Sequence, residues 1–238
     1  MATAALPLER PRRAGRAVQP VAQQLPPVDE SRRALNVAVA FVALLLVSPL
    51  MIIIAVAIKL TSRGPVFYTQ TRVGINRRRM PEGAKFRNTD YGGKPFRIFK
   101  FRTMQPSSGQ RPDAEMWATP DDPRVTRIGR ILRLYRLDEL PQLLNVLRGD
   151  MEIVGPRPEQ PSIFVRMRTE IGGYHLRQQV RPGITGWAQI NQQYDQSIDD
   201  VRQKLRYDLE YIQRRSVTED LRIMLRTLPV IVGKQGAW

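Results

Sequence analysis

The alternation of apolar and polar positions divides the chain into stretches of different character. Residues 1–31 contain no apolar run that could be buried; Arg10, Arg12, Arg13 and Arg16 stand among Ala, Gln and Pro, including Pro26-Pro27. That composition predicts a basic, disordered tail, whose arginines could touch anionic head groups. From Leu35 to Ile58 the sequence reads LNVAVAFVALLLVSPLMIIIAVAI, with no charged side chain and only Asn36 and Ser48 polar. Hydropathy makes this a membrane segment. It starts too late and runs too long for the apolar part of a signal peptide. Arg32 and Arg33 stand before it and Lys59 and Arg63 after it, so flanking charge does not orient a simple span. Pro49 removes a backbone hydrogen bond near its centre and predicts a bend at Ser48-Pro49. A kinked re-entrant helix over 32–60, entering and leaving by one face, is one reading; a spanning helix that tolerates a proline is the other.

After Lys59 the chain becomes polar and mixed. Residues 76–95, with Arg77-Arg78-Arg79 and the run NTDYGG, read as a surface excursion, and residues 105–123 as a Pro-, Ser- and Asp-rich loop. Between them FRIFKFRTM (Phe96 to Met104) alternates as a strand with one packed and one cationic face. Its interleaving of Lys100 and Arg102 with aromatics also has the grammar of a single-stranded nucleic-acid binder. From Ile128 to Leu147 apolar residues recur at helical intervals, interrupted by Pro141. Val201 to Val232 is again helix-like, with Leu205, Leu209, Ile212, Leu221, Met224, Leu225 and Leu228 among Arg and Lys, a face that could pack on the domain or lie in the head-group plane. There is no internal repeat. The expectation is an α/β chain, mostly helical, with one folded domain over 61–238.

Composition narrows the chemistry. Across 238 residues, 38 Lys+Arg against 22 Asp+Glu leave a net charge of +16, which points to acidic partners: nucleic acid, anionic lipid or phosphate-bearing substrates. The absence of Cys excludes disulfides, thiolate metal sites and thiol nucleophiles. The single histidine, His175, argues against a zinc hydrolase and has no partner pattern. Carboxylates, arginines, hydroxyls and a hard metal ion remain.

The densest candidate is RLYRLDELPQ (Arg133 to Gln142), where Asp138 and Glu139 follow arginines at 124, 127, 130, 133 and 136. On a helix that spacing makes a cationic stripe, and adjacent acids point roughly 100 degrees apart, suiting two different jobs rather than a symmetric dyad. A solvated amphipathic helix explains the same spacing. RGDMEIVGPRPE (Arg148 to Glu159) presents Arg157 between Pro156 and Pro158, a stiff mount for a fork aimed at phosphate oxygens; a brace for a carboxylate is the plainer reading. VRPGITGWAQIN (Val180 to Asn191) offers a glycine-shaped turn, Trp187 as an aromatic face, and amides at Gln189 and Asn191; Trp187 could equally be core or an interfacial anchor.

These blocks together resemble the bacterial sugar transferase family, the polyprenyl-phosphate sugar-1-phosphate transferases in their short monotopic form. The matching blocks are Ser48-Pro49, KLTSRGPVFYTQTRVG (Lys59 to Gly74), FKFRTM (Phe99 to Met104), LDELPQLLNVLRGDMEIVGPRP (Leu137 to Pro158), RPGITGWAQIN (Arg181 to Asn191), and Tyr207-Asp208-Leu209 with Tyr211. The resemblance covers about the last 200 residues, without the multi-span region that precedes this unit in larger relatives. It implies transfer of a sugar 1-phosphate from a nucleotide diphosphate sugar, a UDP-sugar in expectation, to polyprenyl phosphate, releasing a nucleoside monophosphate. It implies a covalent phosphosugar on Asp138, magnesium held at Asp138 and Glu139, and phosphate recognition by Arg133, Arg157, Lys100 and Arg102. It assigns the nucleotide sugar to Arg181, Gly183, Thr185, Gly186 and Gln189. The setting implied is the cytoplasmic face of a bacterial inner membrane, among its lipids, with no nucleic-acid partner and with oligomeric state, a homo-oligomer included, left open. Two departures bear on donor specificity: Arg136 stands where the family usually has a small hydroxyl residue, and Gln192-Gln193 where it has Gly-Arg. They motivate an alternative, a catalytically altered scaffold in polysaccharide assembly.

Overall fold

The computed structural model describes residues 29–76, 91–105, 122–192 and 197–233. The tail up to residue 28, residues 77–90 of the expected excursion, residues 106–121 of the Pro-rich loop, and Gln193 lie outside the described residues.

Helix α1 (Glu30–Thr61) opens where the Asp29 carboxylate accepts the Arg32 N–H at 3.1 Å, a side-chain cap for an otherwise orphan donor. Its 32 residues span about 48 Å, more than the roughly 30 Å of a bilayer's apolar core. The helix runs through Pro49 without interruption. Pro49 has no N–H to offer the Leu45 carbonyl, and the Ser48 hydroxyl donates to that carbonyl instead, at 2.9 Å. The carbonyl freed by proline is thus satisfied within the helix, as an apolar surrounding requires. One seam of α1, Arg32, Asn36, Ala40, Ile54 and Ile58, is buried. The opposite side exposes Phe41, Val42, Leu45, Leu46, Ile52, Ile53 and Leu60, with Leu46 at 76% and Leu60 at 82%.

Strands β1 (Phe67–Val73) and β2 (Pro95–Phe101) pair antiparallel, Tyr68 opposite Lys100 and Val73 opposite Pro95. Phe96 and Ile98 turn into the core, and Lys100, two residues on, continues their face rather than an outer cationic one as the alternation suggested. It can do so because a carboxylate meets it there, at Glu139.

Helix α2 (Arg127–Leu134) is capped by Thr126, whose hydroxyl accepts the Gly129 N–H at 2.9 Å. The run expected to break at Pro141 breaks earlier: Arg136 takes φ 54°, a left-handed conformation unusual for a residue with a side chain. A 3-10 turn (Leu137–Glu139) follows, then helix α3 (Gln142–Arg148), which ends at Gly149 with φ 83°. Pro141 stands at the entrance of α3, where a missing N–H costs nothing. The arginine stripe is cut accordingly: only Arg127, Arg130 and Arg133 lie on α2.

Strands β3 (Glu152–Val154) and β4 (Gly183–Thr185) run parallel, with helix α4 (Pro161–Glu170) and a 3-10 segment (Tyr174–Gln179) between them in the chain. Helix α5 (Trp187–Asn191) leads to α6 (Ile198–Arg214), which opens with a reciprocal Ser197–Asp200 cap, and α7 (Val217–Val232). The helical stretch from Val201 onward is thus two helices, parted where the Ser216 hydroxyl accepts the Glu219 N–H at 3.1 Å. The fold is mostly helical, as expected. One core gathers Phe96, Ile98, Leu143, Val146, Met151, Val154, Tyr211 and Ile223, a second Phe164, Tyr174, Leu205 and Leu209, and a third seats Ile54 and Ile58 of α1 on Phe101 and Leu132.

Candidate active site

Asp138 and Glu139 sit in the 3-10 turn and are both buried, at 8% and 7% exposure. Buried carboxylates need partners, and three elements supply cations. Lys100 of β2 donates to Glu139 Oε1 at 2.7 Å and lies 3.8 Å from Asp138 Oδ2. Arg157, in the loop after β3, donates to Glu139 Oε1 at 2.6 Å and Oε2 at 3.3 Å, a forked grip on one carboxylate. Arg133 of α2 places its Nε 2.9 Å from the Thr103 hydroxyl, and its charge is felt at Asp138.

The two acids are therefore unlike. Burial alone would raise Glu139, but Arg157 and Lys100 override it and hold the carboxyl well below its usual range. Burial raises Asp138, with the Glu139 charge adding to it, against the pull of Lys100, Arg133 and Arg157. Glu139 is a fixed negative charge with both oxygens engaged; Asp138 has one long ion-pair contact among the described residues. The two different jobs inferred from adjacency correspond to two environments.

Arg102, grouped with Lys100 in the sequence, goes elsewhere. It donates to the Arg63 carbonyl at 2.6 Å and to the Ser62 carbonyl and hydroxyl at 2.9 and 2.7 Å, tying down the end of α1. The Arg181–Gln189 segment buttresses the Arg157 loop. Gly183 N donates to the Pro156 carbonyl at 3.0 Å, and Gly155 N to that of Thr185 at 2.9 Å. The glycines permit this crossing: a Cβ on Gly183 would stand 2.1 Å from Gly155 N, and one on Gly186 2.3 Å from Gly155 O. Gly183→Ala is expected to cost about 2–3 kcal/mol by backbone overlap, read as a shifted denaturant midpoint. Arg181 donates to Glu152 at 3.2 Å, the Thr185 hydroxyl pairs with Thr227 at 2.8 Å, and Gln189 donates to the Ile184 carbonyl at 3.0 Å. Trp187 donates to Glu210 at 3.0 Å, with the guanidiniums of Arg214 and Arg226 5.1 and 5.6 Å from its ring; it joins α5 to α6 and α7.

Sequence reading missed the groups beneath the site. Arg177, buried, donates to the Arg157 carbonyl and to Glu159, both at 3.0 Å, and pairs with Asp208 at 2.7 Å. It clasps the loop at the Arg157 carbonyl and two residues on, at Glu159. Asn145 on α3, fully buried, accepts from Phe99 N at 3.0 Å and donates to Arg97 O at 2.8 Å, fixing β2 and hence Lys100. A lone amide in the apolar run LLNVL was the available signal for Asn145; none marked Arg177.

The profile of the bacterial sugar transferase family matches residues 29–234. A UDP-N-acetylgalactosamine-undecaprenyl-phosphate N-acetylgalactosaminephosphotransferase of Aeromonas hydrophila is 41% identical over 206 residues, 87% of this chain but 44% of that protein. A UDP-glucose:undecaprenyl-phosphate glucose-1-phosphate transferase of Caulobacter vibrioides is 41% identical over 213 residues, 89% of this chain and 73% of the relative. The exopolysaccharide production protein ExoY of Rhizobium meliloti is 34% identical over 87% of this chain and 88% of its own length. The chain thus spans less than half of the Aeromonas relative and most of the other two. With a profile matched from residue 29 to residue 234 and relatives aligned over nearly nine-tenths of its length, the chain belongs to the bacterial sugar transferase family.

Proposed function

We propose that this chain transfers a sugar 1-phosphate from a UDP-sugar to polyprenyl phosphate, undecaprenyl phosphate in bacteria, releasing a nucleoside monophosphate. The observation that carries this reading is the buried Asp138–Glu139 pair bordered by Lys100, Arg133 and Arg157. The activities for which the Aeromonas and Caulobacter relatives are named support it.

In the proposed first step an Asp138 oxygen attacks the sugar-bearing phosphorus. An Asp138 O–P bond forms, the bridging P–O bond breaks, and the nucleoside monophosphate leaves with that oxygen. In the second, a polyprenyl phosphate oxygen attacks the same phosphorus and the Asp138 carboxylate departs. Arg157 and Lys100 orient around Glu139 and lend positive charge to the oxygens of the transferring group, accelerating the step insofar as they bind the transition state more strongly than the ground state. Glu139 keeps these cations in place, and Arg133 adds charge at the mouth of the pair. A covalent carboxylate route separates a soluble donor from a lipid acceptor in time.

The donor set fits a magnesium ion completed by substrate. No cluster of three acidic, histidine or cysteine ligands occurs among the described residues, but magnesium is commonly held by one or two carboxylates plus substrate phosphates and water. Asp138, least engaged of the pair, would hold it, with Glu139 adjacent; when bound, it neutralises charge between carboxylate and diphosphate.

The same reading places α1 as a re-entrant helix on the cytoplasmic face of the inner membrane, with residues 61–238 as the catalytic domain. Its two ends support this: Arg32 in the first turn and Ile58 in the last are both buried against the same folded domain. A spanning helix would carry one end to the opposite side. The native chain has no cysteine, so single Glu30→Cys and Arg63→Cys variants report the topology. Both are expected to react with an impermeant maleimide from the same side; reaction from opposite sides overturns the dip. The activity itself is tested with nanodisc protein, magnesium, polyprenyl phosphate and a panel of nucleotide sugars. Lipid-dependent release of a nucleoside monophosphate from one donor is expected, and no release from folded protein across the panel would sink the proposal.

A further inference from the structure

The first two turns of α1 carry polar side chains that do not face lipid. Arg32, 1% exposed, donates from Nε and Nη2 to Asp220 Oδ2 at 2.9 and 2.6 Å, and from Nη2 to the Tyr211 hydroxyl at 2.7 Å and Glu152 Oε2 at 3.3 Å. These partners lie on α7, α6 and β3. Tyr211 in turn sits 3.0 Å from the Val154 carbonyl, and the other Glu152 oxygen accepts from Arg181 at 3.2 Å. Asn36 accepts the Ile153 N–H at 2.6 Å, and Arg33 donates to the Val146 and Leu147 carbonyls at 2.8 and 3.1 Å, at the end of α3.

The arrangement has a direction. Arg32 holds Glu152 and Asn36 holds Ile153 directly, Arg32 reaches Val154 through the Tyr211 hydroxyl, and the chain leaves β3 directly into Gly155, Pro156 and Arg157. Arg33 holds α3, which the chain enters directly after the turn bearing Asp138 and Glu139. The Arg157–Glu139 ion pair closes between these two anchored segments. A guanidinium fork is suited to this, since one planar group fixes three partners at set angles.

We infer that Arg32 is a positioning residue for the donor half of the reaction: it locks β3, and with it the Arg157 loop, against the turn that carries Asp138. The inference rests on the transferase reading above. It makes seating of the membrane helix a condition for attack on the soluble donor, before any lipid acceptor is involved. A displacement near 1 Å at a reacting group can cost about a hundredfold in rate, so a modest slip of β3 is enough.

The test compares wild type, Arg32→Lys, Tyr211→Phe and Leu205→Ala, all full-length in nanodiscs with magnesium. Leu205→Ala truncates the second core and serves as a control for lost stability alone. Single-turnover release of nucleoside monophosphate is measured without acceptor, and steady-state turnover with it. Arg32→Lys is expected to slow the donor-only step at least about tenfold, with the KM for polyprenyl phosphate and membrane partition unchanged. Tyr211→Phe, which keeps the ring and removes one link to β3, is expected to show a smaller slowing of the same step. Leu205→Ala is expected to lower the melting temperature while leaving that step within about twofold of wild type. The inference is overturned if Arg32→Lys leaves the donor step unchanged, if its loss appears only as a raised lipid KM, or if Leu205→Ala slows the step in equal proportion to its lost stability. Should Arg32→Lys fail to fold, an unchanged donor step in Tyr211→Phe overturns it. A wild type that releases nothing from any donor instead overturns the transferase reading, so the two failures are distinct.

Discussion

Asp138→Asn is expected to lower turnover at least about a thousandfold, the loss typical of removing a covalent nucleophile, while the protein still partitions into membranes and melts no lower than wild type. The second half is the more discriminating. Burial raises the Asp138 carboxyl, meaning that the folded state disfavours its ionised form relative to the unfolded chain. Near neutral pH an ionised Asp138 therefore subtracts from stability, and a neutral amide of the same shape removes that cost. Stability retained or gained alongside lost activity is the mark of a group kept for chemistry. Nucleoside monophosphate release and a thermal melt on the same preparation decide it, and turnover within tenfold of wild type would remove Asp138 from the nucleophile's role.

Arg157→Met is expected to have the second-largest effect, lowering kcat/KM by about a hundred- to a thousandfold, as loss of a preorganised cation at a phosphoryl centre does. It should also destabilise the fold by about 2 kcal/mol, the low end for a broken buried pair because Arg157 is partly solvated. The pH dependence has a definite sign. In the wild type Glu139 is depressed, so its contribution is complete above the ordinary carboxylate range and is lost only as pH falls through the depressed value. Without Arg157, burial pushes Glu139 upward against Lys100, its remaining ion-pair partner, and the more distant Arg72. The stability gap between wild type and variant should then be widest at neutral pH and narrow toward acid, as the variant's carboxyl takes up its proton. Adding Glu139→Gln to Arg157→Met should recover stability without activity. Chemical denaturation of the four proteins of that cycle at pH 7 and pH 4.5 measures the coupling; a gap that does not change with pH would separate Arg157 from the Glu139 charge.

What could be read in advance followed the range of the interactions. The long apolar helix needed only a run of apolar residues, and its expected span of 32–60 compares with Glu30–Thr61. The FRIFKF strand and the acidic pair were visible because alternation and adjacency are local. The break at Arg136 was not, because a left-handed arginine has no propensity signal and Pro141 offered a more familiar place to stop. Strands β3 and β4 are three residues each, too short for alternation to register. Arg32 meets Asp220 across 188 positions, and Arg177 clasps a loop 20 residues behind it. Spacing along a chain shows which charges are available and not which of them meet. Arg102 illustrates the limit: two residues from Lys100 and of the same sign, it serves the end of α1 rather than the acidic pair.

The amide of Asn145 does more than fix Lys100. A two-stranded sheet leaves outward-facing N–H and C=O groups on each strand, a template on which another chain can add by backbone pairing. On β2 the groups at the middle of that edge, Phe99 N and Arg97 O, are already taken by one side chain that donates and accepts as a neighbouring strand would. Copies of the chain that meet at high local concentration find the middle of this edge already paired, which makes β2 a poor template for strand addition.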